Sequence, residues 1–270
     1  SNAGTTINNN ADNRIITGSG TANTLEGEAN LTYNGSGITL TGTNPYIDIV
    51  DSNNDSDFSI KNDNGTFEIN DATNSDATRL AIPSSGGVGI GIASTSRTPL
   101  HIHEPTSATA NIHLTNSTTG SGATDGLTIW HDGGTSAGIF LRENLPFRIG
   151  TNNTDRMRID ADGRVGVGIV PQAGQYSGWT VLQVGESAAL TSNKTTGDTN
   201  TTELSNNSYL NSNASAYKYH HNDEASRYTQ AHGRHTFFVA GSGSPDADIS
   251  FTEEVRIDSD GLKFNGDSAA

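Results

Sequence analysis

The chain has 270 residues, a formal net charge of −15 and only 31% hydrophobic residues. An acidic surface repels polyphosphates and anionic headgroups, and no apolar run approaches spanning length, which argues against nucleic acid and membrane insertion. With no cysteine, disulfides and thiolate chemistry are excluded as well.

Asn, Thr, Ser and Gly make up roughly 45% of the chain, far above ordinary globular usage. They are poor helix formers, and no stretch keeps apolar residues three and four apart. Short alternating runs broken by Asn-Gly, Asp-Gly and Gly-Ser recur instead, which predicts an all-β protein. A single globule of this length ordinarily has more to bury. The regular alternation argues against disorder. The expectation is an elongated string of small β modules, each completing its core with neighbouring chains.

In chain order, Ser1-Asn2-Ala3 reads as a tag remnant. Residues 4–43 form an N-terminal hairpin segment, in which Leu31 and Tyr33 alternate into the turn Asn34-Gly35 and Ile38 and Leu40 alternate out. Residues 44–91 form a small module around Tyr46–Val50, Phe58, Ile60, Asp63-Asn64-Gly65, Phe67 and Ile69, closed by Leu80 and Ile82. Residues 92–168 form the best-defined module. Its predicted strands are Leu100–His103, Asn111–Thr115, Leu127–His131, Gly138–Arg142, Phe147–Gly150 and Arg156–Ile159. Residues 169–270 form a larger module with a polar insert at 191–213. Its predicted strands lie around Tyr217, Tyr219 and Tyr228, then at Arg234–Ala240, Ile249–Phe251 and Val255–Ile257. The stop at Ala269-Ala270 reads as a truncated boundary.

One sentence of sequence is written three times: Arg79–Gly91, Arg156–Gly168 and Val255–Phe264. Each is an alternating run, a tight turn and a second alternating run. Aligned on Ile82, Ile159 and Ile257, the copies lie about 77 and about 98 residues apart, too far for a solenoid repeat. The turns sit at Gly86, at Asp162-Gly163 and at Asp260-Gly261, where glycine tolerates φ > 0. Gly166 and Gly168 leave one strand face bare for a close backbone approach.

These phrases, with Ala11–Gly20, Asn23–Glu28, Pro99–Ile102 and Gly233–Phe237, resemble tail-fibre and other virion structural proteins of tailed marine bacteriophages. The likeness covers most of residues 4–266. It implies a homotrimeric, β-rich fibre or spike in an appendage that reaches the host, outside the cell. The partners it implies are the chain's own copies and a host cell-surface glycan or protein receptor. Many such proteins end in a self-cleaving chaperone domain, and nothing here matches one.

His101 and His103 are the sharpest metal candidates. Two apart on a strand, they share a face, and three chains would offer six imidazoles on an axis, a set suited to iron or nickel. Otherwise Leu100 and Ile102 are core and the histidines are solvated. No other cofactor is expected. The Asp160–Gly163, Asp258–Gly261 and Asp51–Asp57 runs lack the oxygen ligands of a calcium loop and read as turn chemistry. Neither Glu253-Glu254 nor Asp223-Glu224 comes with a cleft signature, so no enzymatic activity is expected. The aromatic and histidine cluster of Tyr209, Tyr217, Tyr219, His220, His221 and Tyr228 is the receptor-binding candidate. Alternatively its tyrosines supply core. Two functions follow: a segment of a trimeric fibre that spaces and presents a receptor-binding region, or a carbohydrate-binding or adhesin β-sandwich module of a cell surface.

Overall fold

A computed structural model describes residues 4–53, 56–93, 99–106, 108–193 and 200–265. The tag remnant, residues 54–55 of the Asp51–Asp57 run, residues 194–199 of the expected insert and the terminal 266–270 lie outside the described residues. The protein is all-β, with several sheets and no helix among the described residues. Among the described residues no helix is long and apolar enough to cross a membrane.

The chain divides into two compact units, Ser1–Leu114 with Thr128–Phe140, and Thr115–Leu127 with Leu141–Ala270. In the first unit, β1 (Thr6–Asn8), β2 (Arg14–Gly18), β3 (Thr24–Tyr33) and β4 (Ile38–Leu40) form a four-stranded sheet around β3. A six-stranded sheet follows, from β5 (Tyr46–Ile49), β6 (Phe58–Asp63), β7 (Thr66–Asp71), β8 (Ala77–Ile82), β9 (Val88–Ile90) and β10 (Leu100–Ile102). It is an antiparallel meander until β10, which adds in parallel to β9. A third sheet runs β11 (Ala110–Leu114), β12 (Leu127–His131), β13 (Ala137–Leu141). There the Trp130 ring stacks on Phe140, and a Cβ on Gly138 would meet the indole at 3.1 Å.

The second unit is dominated by one ten-stranded sheet. Its strands are β14 (Phe147–Thr151), β15 (Thr154–Ile159), β16 (Val165–Val167), β17 (Trp179–Val184), β18 (Ala188–Asn193), β19 (Thr201–Asn206), β22 (Asp223–Ala231), β23 (Arg234–Gly243), β24 (Thr252–Asp258) and β25 (Gly261–Phe264), in that order. A short pair, β20 (Ser208–Leu210) and β21 (Tyr217–Tyr219), stands apart from it. Residues 201–210, expected within a polar insert, thus supply β19 and β20. Ile249–Phe251, expected as a strand, is not one, although Ile249 N–H still donates to Tyr217 C=O at 2.8 Å.

The repeated hairpin closes with the same backbone bond in each copy, although the turns span residues 83–87, 160–164 and 259–260. In each copy the residue after the second strand donates its N–H back to the residue before the first pair. The bonds are Gly91 to Arg79 C=O (3.0 Å), Gly168 to Arg156 C=O (2.9 Å) and Asn265 to Glu254 C=O (2.8 Å). Thr41 N–H makes the same bond to Asn30 C=O at 2.8 Å, and β4, like β9 and β16, is a three-residue second strand, so the β3–β4 hairpin groups with them as a fourth. Gly86, Gly163 and Gly261 have φ of 85°, 82° and 108°. A Cβ on Gly166 would land on the Ile169 carbonyl oxygen and lie 2.8 Å from Pro171 Cδ, because the chain folds back over this strand.

Candidate interaction surface

Side chains on neighbouring strands at paired positions share a face. Following one register line across the ten-stranded sheet gives Phe147, Ile159, Val165, Leu182 and Leu190. It continues through Leu204, Tyr228, Phe237, Val255 and Phe264. Every strand contributes an aliphatic or aromatic residue, and not one of them is buried. Leu204, on a central strand, is 56% exposed.

The other face is inverted in the same sense. Gln183, Thr191, Glu203, Ser205, Thr229 and Thr236 are buried there, beside Val181, Ala189 and Ala225. Glu203 is 2% exposed and accepts from Tyr217 Oη at 2.9 Å and from Arg227 Nη1 at 3.1 Å. The Arg227 guanidinium lies 4.1 Å from the Tyr217 ring centroid, 4.3 Å from Phe238 and 4.7 Å from Phe251, a cation held among aromatic faces. Burial pushes the Glu203 carboxyl up, against the opposing pull of Arg227. Burial also raises the Tyr217 phenol, with the Glu203 charge adding to it.

The six-stranded sheet repeats the design. Its register line reads Ile47, Ile60, Ile69, Leu80, Ile90 and Ile102, one from each strand, and none is buried. On its opposite face Ser59, Glu68 and Asn70 are buried. Lys61 there pairs with Asp76 and stands 3.6 Å from Glu68 Oε2. Beside the Ile102 end a groove of about 310 Å³ opens between Leu100, Ile112, Ile129 and Trp130.

The expected receptor cluster is split between two sheets, with Tyr217 and Tyr219 on β21 and Tyr228 on β22. Tyr217 and Tyr219 pack into the polar-face layer: Tyr219 is 6% exposed and bonds Gly241 C=O. Tyr228 points the other way, into the apolar row, its ring centroid 4.8 Å from that of Phe237 and tilted by 30°. Tyr209, His220 and His221 remain together at the rim, with Tyr209 and His220 ring centroids 5.0 Å apart. Tyr209 donates to Asp246 Oδ1 at 2.5 Å. Burial, then that bond, pushes its phenol up to about 12. Burial, then the neighbouring His221, lowers His220 to about 4. Its buried Nε2 has no hydrogen-bond partner among the described residues.

His101 and His103 have ring centroids 6.1 Å apart and share the face opposite Ile102 and the apolar row. An axial metal would need that sheet turned over relative to its aliphatic row. No group of three or more metal-binding side chains occurs among the described residues. The paired carboxylates have local partners: Glu224 accepts from Ser242 Oγ, and Glu253 and Glu254 meet Arg256 and Asn265. No model of a known family matches this chain, and no curated protein matches it.

Proposed function

We propose that this chain is a structural and interaction protein: a segment of a trimeric phage tail fibre that spaces and presents a host-receptor-binding region. One observation carries the proposal. In both large sheets the aliphatic row lies on the uncovered face and the polar side chains on the covered one. A monomer gains by the reverse arrangement, since burial of apolar area is the dominant favourable term in folding. Rows that run unbroken across six and ten strands are larger than scattered surface aliphatics, and contiguous patches of this kind mark interaction sites. Three copies facing their rows toward a common axis would cover them, in the way that an obligate interface resembles a core cut in half.

A cell-surface β-sandwich would put its alternating aliphatics between two sheets of one chain, and here they lie outside. That favours the fibre. The rim of Tyr209, His220 and His221 is the part of the aromatic cluster left for a host glycan or protein receptor, with the appendage acting outside the cell. Light scattering tests the assembly: the fibre requires three times the chain mass of 28.2 kDa at micromolar concentration. A single-chain mass overturns it.

A further inference from the structure

Two of the four hairpins seat a further strand on their outer edge. β10 lies parallel on β9 with Leu100, His101 and Ile102 opposite Val88, Gly89 and Ile90. β17 lies parallel on β16 with Leu182, Gln183 and Val184 opposite Val165, Gly166 and Val167. In each case the added strand is the next one in the chain. For the first hairpin the next strand is β5, and it does not close. Among the described residues β4 pairs only with β3, and β5 ends its sheet.

The connector explains why β5 does not return within its own chain. Residues 91–99 and 168–178 join the two closed pairs, whereas only residues 41–45 join β4 to β5. A parallel return needs two chain reversals and a run back of about 10 Å for a three-residue strand. Each reversal takes about two residues between the flanking ones of a β-turn and the run back about three, so about seven are needed, which residues 91–99 and 168–178 supply and residues 41–45 do not. Both of its ends are also fixed, by Thr41 N–H on Asn30 C=O and by Asn62 N–H on Pro45 C=O. Short connectors that cannot close within a chain favour closure between chains.

The exposed side chains fit such a closure. Ile38 is 69% and Ile47 60% exposed, and Leu40 and Ile49 are exposed beside them. β25, which also ends its sheet, carries Lys263 at the central position, a charge of the kind that keeps an edge from pairing. β4 carries Thr39 there and has no charge.

We infer that β5 of one copy adds in parallel to the outer edge of β4 of another copy, with Ile47, Asp48 and Ile49 opposite Ile38, Thr39 and Leu40. The apolar row of the six-stranded sheet then runs from Ile47 of one chain into Ile38 and Tyr33 of the next. By the pattern of Val88 N–H to Pro99 C=O and His103 N–H to Ile90 C=O, the new bonds are Ile38 N–H to Tyr46 C=O and Val50 N–H to Leu40 C=O. The inference rests on the self-association proposed above.

The test uses the absence of native cysteine. Thr39→Cys with Asp48→Cys in one chain puts two thiols on opposed positions of the exchanged pair, within disulfide reach. After oxidation, a non-reducing denaturing gel and intact mass should show covalent two-chain and three-chain species that collapse to one chain on reduction. Each single variant should give none through this pair. A purely intrachain disulfide, or none, overturns the exchange. If the double variant fails to fold, hydrogen exchange on the unmodified protein decides: slow exchange at the Ile38 and Val50 amides supports the pairing, and fast exchange at both overturns it. Light scattering on the unmodified protein separates the failures. A trimer without the interchain crosslink removes only the strand exchange, while a monomer removes the self-association beneath it.

Discussion

The six-stranded sheet of the first unit and the ten-stranded sheet of the second share an inside-out pattern, yet they keep their charges differently. Glu203 and Arg227 lie dry beneath Tyr217, Phe238 and Phe251. Lys61 and Asp76 form a pair at the surface, with the Asp76 side chain 53% exposed. The second unit has β20, β21 and the Phe251 segment to cover its polar face, so an ion pair is sealed in there, with Arg227 Nε left without a hydrogen-bond partner among the described residues and aromatic rings around the guanidinium. Among the described residues the smaller sheet has no such aromatic cover over its pair, and the exposed Asp76 carboxylate meets water. The lesson is that the open apolar rows and the buried polar residues behind them are common to both units, whereas the dry ion pair is particular to one. Self-association should therefore matter to both units, and the dry pair only to the second.

The largest effect should come from charging a row. Leu204→Glu changes an exposed side chain on a central strand, and in an isolated chain such a surface change shifts stability by no more than about 0.5 kcal/mol. Across the interface of the proposed trimer it would bury three unpaired carboxylates. The expected outcome is loss of the assembled mass by light scattering, with single chains remaining. Unchanged mass and melting temperature would mean the row faces solvent in the working protein.

Next comes the dry pair. Arg227→Met leaves Glu203 buried without its cation, and breaking such a pair costs about 3–5 kcal/mol. Urea unfolding should show that loss, and Glu203→Leu added to Arg227→Met should recover much of it, because no lone charge remains. If the single and double variants unfold alike, the pair is not the organising centre of that layer.

The strands were legible in the sequence and their register was not. Leu127–His131 is a strand as read, and Leu100–Ile102 and Phe147–Thr151 differ from their readings only at one end. β19 was hidden because Thr201-Thr202-Glu203-Leu204 alternates with its polar residues inward, so a strand looked like an insert. The fourth hairpin was visible as a hairpin but not as a copy, since Thr39 and Thr41 replace the glycines that mark two of the others. The aromatic cluster was legible as composition only. Sequence proximity joined Tyr217 to Tyr228, while the strands place them on opposite faces. The cross-strand rows that carry the functional proposal could not be seen without pairing, because each is assembled from one residue per strand.

Two intermediate effects sharpen the second unit. His220 titrates at about 4 in the fold against 6.5 for the free group. With a depressed folded value, the unfolded chain binds more protons between those limits, so stability is held above pH 6.5 and falls as pH drops toward 4. The groups facing it are His221, Tyr209 and Asp246. The expected loss is no more than about 2 kcal/mol after allowance for solvent screening, and His220→Phe should flatten that stretch of the curve. If melting temperatures of the two proteins track each other from pH 7 to 4, other groups govern acid stability. Gly163→Val forces a β-branched residue to φ 82°, at about 1–2 kcal/mol. No atom lies within 4 Å of the added Cβ, so backbone strain is the whole effect, and Gly163→Asn should be milder because Asn tolerates this region. Equal losses for Val and Asn would point to packing instead.

The smallest effect is expected where the comparison began, at the pair of Lys61 and Asp76. The Asp76 carboxyl is held below its usual range mainly by the hydrogen bond from Lys61, and the same bond raises the Lys61 ammonium. Both shifts favour the charged forms. The contribution of Asp76 is therefore present above the ordinary carboxylate range and lost as pH falls through its folded value, while that of Lys61 is lost only at strongly alkaline pH. Because Asp76 is largely in water, the pair is worth less than about 1 kcal/mol. Asp76→Asn should lower stability by that small amount near neutral pH and leave the mass measured by light scattering unchanged. High salt should erase the difference, since exposed pairs are screened within about 10 Å at 0.1 M. A salt-independent loss as large as that of Arg227→Met would show that this pair too is dry in the assembled protein. The polar face of the first unit would then be covered by something besides its own chain.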